Sequence, residues 1–469
     1  MAEKSAAELL KEQLGYAPEQ AGLALSEAEI AEADAYCEKY KAFLDAAKTE
    51  REAVKTAIAQ AQAAGFVPFD RHAALKPGDK VYANNRGKSL VLAVIGSRPI
   101  TDGVSVAVAH IDSPRLDLKP NPLYEDGNLA YFDTHYYGGI KKYQWMAMPL
   151  ALHGVLVRRD GSTVEIRIGE DAGDPVFCVT DLLPHLASEQ MKRPMMEAVK
   201  GEDLNILIGS RPFRDDKGSE LVKLNILKHL HEKYGIVEAD FLSAELEAVP
   251  AYGARDVGFD RSMIGAYGHD DRVCAYPALT AILGLESVPE FTAVTLLADK
   301  EETGSEGNTG MQSAYFRYFI DDLAAAFGEK GHQVLSNSVC LSADVNVALD
   351  PIYPEVVEKR NCAQLNQGVV LTKYTGSRGK SDTSDASAEL MGRVRRLMAE
   401  KQVLWQVGEL GKVDIGGGGT VAKYIANLNV DTVDMGVPVL SMHAPFEVVS
   451  KLDVYMAHRA FSALMTREE

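Results

Sequence analysis

Residues 104–109 (VSVAVA) form an unbroken run of apolar and small side chains that stops directly on His110, Ile111 and Asp112. A second run, TAVTLLA, ends the same way on Asp299, Lys300, Glu301 and Glu302, and residues 89–96 (SLVLAVIG) make a third. Continuous runs of this length read as strands buried on both faces, and such strands need helices on both sides of their sheet. The chain is therefore expected to be α/β, with a mixed sheet flanked by helices.

At 469 residues the chain exceeds what one hydrophobic core usually supports, so two domains are expected. Ser26 with Glu29 three residues on is a capping-box signal, and Ile30, Ala33, Cys37, Tyr40 and Leu44 recur at helical spacing, which predicts a helical region broken once and running to about Gly65. Residues 152–159 and 162–169 flank Asp160-Gly161 and read as an antiparallel hairpin. The stretch 201–258 is polar, with one expected helix over 220–234. Residues 113–255 thus read as a β-rich insertion, and 1–112 plus 256–469 as the enclosing domain. There, a helix from about Arg272, strands over 291–297, 339–342 and 437–442, and a closing helix resume the alternation.

The formal charge of −18 repels phosphate backbones and anionic lipid, so neither nucleic acid nor membrane is an expected partner. The start, MAEKSAAELLKEQLG, has no apolar core of a secretory signal, and no run of about 18 apolar residues occurs anywhere, which points to the cytoplasm. Five cysteines without a CxxC pair argue against a disulfide framework or a thiolate metal site and are expected to be buried thiols.

Five segments place ionisable residues at the expected end of a strand or start of a helix: AHIDSP, GHDDR, ADKEETGSEG, SADVN and SMHAP. In open α/β sheets the ligand site lies beyond the carboxyl ends of the strands, where such segments converge. They offer His110, Asp112, Asp270, Asp271, Glu301, Glu302, Asp344 and His443, a mixture of imidazole and carboxylate that suits zinc, manganese or cobalt. Adjacent carboxylates behind an apolar strand are costly unless cations are bound. The run Gly416 to Gly419 lacks the lysine-serine ending of a phosphate loop and is expected to form a tight turn near the site. No HExxH motif occurs, nor any comparable serine or cysteine constellation.

In their order these segments resemble the M18 family of metallopeptidases, the aspartyl aminopeptidase group, over essentially the whole chain. The resemblance implies a zinc exopeptidase-like catalytic domain with an inserted dimerisation domain. It also implies two divalent ions, zinc most readily and cobalt or manganese otherwise, on His110, Asp270, Glu302, Asp344 and His443, with Asp270 bridging. Glu301 then resembles the general base and Asp112 the carboxylate orienting the His110 ring. The activity implied is release of the N-terminal residue from peptides with a free amino end, through a water activated by two metals. His185, in LLPHLASEQ, resembles a histidine that reaches a neighbouring subunit's site, and the family's assembly implies dimers building a dodecamer.

Where many members carry two histidines after the metal-binding aspartate, this chain has Val347 and Asp350, and it looks closer to the bacterial M18 family aminopeptidase 1 branch. Acidic or neutral N-terminal residues are both open as substrates. Lys373 is the named cation for an acidic side chain, with Arg378 and Lys380 as alternatives. Two rival readings are a co-catalytic zinc deacylase or carboxypeptidase, and a non-catalytic assembly protein on a peptidase fold.

Overall fold

A computed structural model describes residues 4–468. Residues 1–3 and 469, at the outer ends of the segments expected over 1–112 and 256–469, lie outside the described residues. The principal sheet has nine strands in the order Val67–Pro68, Lys80–Asn85, Ser89–Val94, Thr292–Ala298, Val104–His110, Val339–Ser342, Asp431–Gly436, Val369–Thr372 and Trp405–Val407. The four from Thr292–Ala298 to Asp431–Gly436 run parallel, and antiparallel neighbours flank them on each side.

Every residue of Ser89–Val94, Val104–His110 and Thr292–Ala298 is buried. Their side chains alternate between two cores, as period-two geometry requires: Leu90, Leu92, Ala107 and Ala109 face one, Val91, Ala93, Val106 and Val108 the other. The first core is covered by Glu27–Ala46, Glu50–Ala63, His269–Leu283 and Lys451–Met465, the second by Tyr315–Ala325 and Gly331–Ser336. Helix Glu27–Ala46 starts at the reciprocal cap between Ser26 and Glu29, and the expected break comes where Thr49 and Glu52 build a second one. Among the described residues, no helix is long and apolar enough to cross a membrane. All five cysteines are free, and all but the half-buried Cys178 are buried.

A separate seven-stranded sheet runs Thr163–Ile168, Leu150–Val157, Ala244–Pro250, Arg115–Asp126, Leu129–Tyr137, Ile206–Gly209, Cys178–Val179. It lies within the span 113–255 and has its own core around Leu116, Phe132, Trp145 and Leu246, against which helix Leu221–Tyr234 packs Ile226, Leu227 and Leu230. The hairpin expected around Asp160-Gly161 pairs Val157 with Thr163.

One expected element is rearranged. Instead of a single strand over 437–442, Asp431–Gly436 belongs to the principal sheet and Pro438–Leu440 to a third, five-stranded sheet, followed by Glu447–Ser450 before the closing helix. The chain leaves the principal sheet where Gly436 crosses the backbone of Asp344 so closely that a Cβ would stand 1.8 Å from that carbonyl oxygen. Pro438, with no N–H, cannot continue the ladder as a donor.

Candidate active site

Parallel strands deliver the ionisable residues to one edge. His110 is the last residue of its strand, Asp344 lies two beyond Val339–Ser342, and Glu301 and Glu302 open a short 3-10 turn after Thr292–Ala298. Asp270 stands at the mouth of helix His269–Leu283, before regular helical geometry begins, and His443 lies in the turn between Pro438–Leu440 and Glu447–Ser450. This is the carboxyl-end crevice where open α/β sheets bind ligands.

The five expected ligands and Glu301 come together. Asp270 presents Oδ1 to His110 Nε2 at 3.1 Å and Oδ2 to His443 Nε2, also at 3.1 Å. Asp344 Oδ1 and Glu301 Oε2 stand 3.6 and 3.9 Å from His110 Nε2, and Glu302 Oε2 stands 3.6 Å from His443 Nε2. Asp271 is a further neighbour that could join His110 and Asp344. Its Oδ2, however, accepts the His110 backbone N–H, whereas Asp270 faces both rings.

Asp112, fully buried, ties these groups to one another. Its Oδ1 accepts the Glu301 N–H at 3.1 Å, its Oδ2 accepts the Glu302 N–H at 3.2 Å and the Tyr137 hydroxyl at 2.8 Å, and its carbonyl oxygen stands 3.0 Å from His110 Nδ1. With Nδ1 bonded to that carbonyl, the His110 ring aims Nε2 at the carboxylates. His443 does the same by donating Nδ1–H to the Gly139 carbonyl at 2.8 Å. Lys300 and His443 both adopt left-handed φ, +66° and +63°. Such strain, about 1–3 kcal/mol per residue, collects where surrounding contacts over-determine the backbone. For His443 the contact is Glu447, whose Oε1 accepts its N–H at 2.7 Å while Oε2 accepts the Asp270 N–H at 3.1 Å.

The electrostatics are those of crowded acids. Burial, then the charge of Asp344, pushes Glu301 up to about 8. Burial, then Asp270, raises Glu302 well above the carboxylate range, and burial raises Asp344. Burial works against charging Asp270 as well, but hydrogen bonds from both histidines hold it low. Against the pull of burial, its bond to Asp270 and the charge of Glu302 raise His443 to about 11. Glu302 Oε1 and Asp271 Oδ1 are buried with no hydrogen-bond partner. Orphaned carboxylate oxygens beside inward-facing imidazole nitrogens, without thiolates, fit divalent cations of the zinc class.

Beside the cluster opens a cavity of about 790 Å³, lined by Asp270, Glu301, Asp344 and His443 and walled by Gly416 to Gly419. The glycine run is a tight turn: Gly417 takes φ +100°, and a Cβ there would stand 2.2 Å from the Gly376 carbonyl oxygen. Lys373 is not on the cavity wall; its ammonium sits 4.0 Å over the Tyr374 ring, and the lining lysine is Lys412, accompanied by Asp385 and Glu409. His185 is exposed on a turn of the seven-stranded unit and is not among the lining residues. Sequence reasoning missed Glu447, for which the only signal is an acid four residues after His443, and missed Tyr137 and Gly139, which carry none.

A parallel-centred α/β sheet that gathers two imidazoles and several carboxylates around one buried aspartate, beside a cavity, is that of a metal-dependent hydrolase. Residues 43–465 match the family model described as Aminopeptidase I zinc metalloprotease (M18), and the chain belongs to this family of metallo-aminopeptidases. It is 54% identical over 395 residues to a probable M18 family aminopeptidase 1 of Clostridium acetobutylicum, covering 83% of this chain and 85% of that one. The crystal structure of an M18 family aminopeptidase from Thermotoga maritima, 44% identical, superposes with a TM-score of 0.92 over 97% of this chain and 100% of that one. The S. cerevisiae mApe1 dodecamer, 20% identical, shares the fold with a TM-score of 0.75 over 93% of this chain and 97% of that one.

Proposed function

We propose that His110, Asp270, Glu302, Asp344 and His443 hold two divalent ions, with Asp270 shared between them, and that Glu301 is the general base for removing the N-terminal residue of peptides. The observation that carries this reading is Asp270, whose two oxygens each stand 3.1 Å from a different imidazole. Zinc suits these donors best, and cobalt or manganese would substitute. When bound, the ions supply Lewis-acid polarisation of the scissile carbonyl and a lowered pKa for water. Glu301 takes the proton of the attacking water and returns it to the leaving amine, so no covalent intermediate is needed. Asp112 holds the His110 ring and the Glu301–Glu302 backbone in register, and the acidic rim favours a free terminal ammonium.

The decisive comparison is Glu301→Gln against Asp270→Ala, with bound metal and release from free and N-acetylated peptides measured on both. Glu301→Gln should keep its metal and lose roughly 10²–10⁴-fold in turnover, the usual worth of a positioned general base. Asp270→Ala should lose metal as well. Full activity of metal-replete Glu301→Gln would sink the assignment, and cleavage of blocked peptides alone would indicate a deacylase.

For acidic or neutral N-terminal residues we take Lys412 as a cation candidate beside Lys373, because it lines the cavity. Lys412→Ala should lower kcat/KM for peptides beginning with Asp or Glu while sparing those beginning with Ala or Leu; a uniform change would remove it as a selector. Assembly into dimers and a dodecamer is supported by the yeast relative and by exposed Leu182, Leu183, Leu186, Met191, Met195 and Met196 around His185. Free cysteines and strong negative charge suit a cytoplasmic enzyme.

A further inference from the structure

One segment of the seven-stranded sheet touches both histidine sides of the cluster. Strand Leu129–Tyr137 ends on Tyr137, and Gly138 and Gly139 follow. The Tyr137 hydroxyl donates to Asp112 Oδ2 at 2.8 Å, and the Gly139 carbonyl accepts from His443 Nδ1 at 2.8 Å. Gly138, at φ +78°, lies so close to Glu302 that a Cβ would stand 3.2 Å from its Oε2; a Cβ on Gly139 would stand 3.3 Å from His443 Nδ1. The Tyr137 ring is itself fixed, with the Arg115 guanidinium 3.9 Å from its centroid and Arg115 paired to Glu50, Asp117 and Glu247.

We infer that Tyr137, Gly138 and Gly139 are positioning residues that orient Asp112 with His110 on one side of the cluster and His443 on the other. Metal retention thereby depends on how the inserted sheet docks. The inference rests on the ligand set proposed above. Its chemistry is that of outer contacts to metal-binding imidazoles: a partner for Nδ1–H fixes the tautomer and aims Nε2, and a donor to the supporting carboxylate stops that carboxylate rotating. Tyr137, through Asp112, and Gly139 serve the two imidazoles, and a Cβ on Gly138 or Gly139 would crowd Glu302 or His443.

The test compares wild type, Tyr137→Phe and Gly139→Ala, with Tyr136→Phe as control, because Tyr136 is exposed and bonded to none of these groups. Zinc affinity is read by competition with a chromophoric chelator, ligand geometry by the absorption spectrum of the cobalt form, and folding by circular dichroism. Tyr137→Phe should bind zinc roughly 10–100-fold more weakly, as loss of an outer-contact partner does, and Gly139→Ala should also weaken binding because its Cβ crowds His443 Nδ1. Their cobalt spectra should shift and kcat should fall more than KM rises, while Tyr136→Phe matches wild type. If Gly139→Ala does not fold, Tyr137→Phe alone decides. Folded variants with wild-type zinc affinity and cobalt spectrum would overturn the inference, as would an equal loss in Tyr136→Phe. A wild-type chain that binds no metal would overturn the ligand set and the inference together, whereas metal-binding wild type with indifferent variants overturns only the inference.

Discussion

Glu447 is buried and spends both oxygens on backbone donors, the N–H groups of Asp270 and His443. Glu447→Ala leaves the buried Asp270 N–H and the part-buried His443 N–H without acceptors, and at about 1–3 kcal/mol for each such group the fold should lose roughly 2–6 kcal/mol. Denaturant unfolding of the metal-loaded protein measures this; an unchanged midpoint would mean that water replaces the carboxylate at no cost. The same residue marks how far single positions were legible. Position at a strand end or helix start, where a bare charge is costly, marks His110, Asp270, Glu302, Asp344 and His443 together with Asp112, Asp271 and Glu301, and only the family resemblance chooses the five among these eight. Glu447 and Tyr137 carry no such mark, since what defines them is a partner distant in sequence or a backbone amide, and neither leaves a pattern. Lys373 and Lys412 show the same limit, because one position along a loop decides whether an ammonium faces a cavity or an aromatic ring.

Helix Glu50–Ala63 and hairpin strand Leu150–Val157 meet through a buried latch. His153, fully enclosed, stands 2.8 Å from Glu52 through Nδ1 and 3.4 Å from Glu170 through Nε2, the first a hydrogen bond and the second only an ion-pair contact. Burial lowers its affinity for a proton, but Glu170 and Glu52 more than offset this, and its pKa lies above the usual 6.5. A histidine raised in the folded state contributes stability that is fully present below its unfolded pKa of about 6.5 and fades as pH rises through the folded value. Wild type should therefore lose stability relative to His153→Gln as pH climbs from about 6.5. Parallel stability curves for the two proteins would show that His153 has the same pKa folded and unfolded, and would refute the shift. The elements joined here differed in legibility. The cap at Ser26 and the Asp160-Gly161 turn are local chemistry and legible in sequence, whereas strands Arg115–Asp126, Leu129–Tyr137 and Ala244–Pro250 carry no clear strand pattern. In these three, charged residues and prolines interrupt the apolar pattern, and cross-strand pairing supplies what local propensity lacks.

The nine- and seven-stranded sheets pack around different cores, and the seven-stranded one lies within the stretch 113–255, where the texture of the sequence changes. His185 is exposed among apolar side chains on the seven-stranded unit and does not line the cavity of its own chain. If His185 works across a subunit contact, two defective chains should repair each other. His185→Ala keeps the metal cluster and general base but lacks the histidine, whereas Glu301→Gln supplies the histidine and lacks the base. Co-refolded in equal amounts, random two-fold pairing places an intact cluster beside a partner's intact histidine in roughly a quarter of all sites. Activity near that fraction of wild type should appear, although each variant alone is poor. Size-exclusion with light scattering must show the mixture assembled as wild type does. Assembly without recovered turnover would exclude a role in trans, because every geometric requirement except the histidine's reach would then have been met.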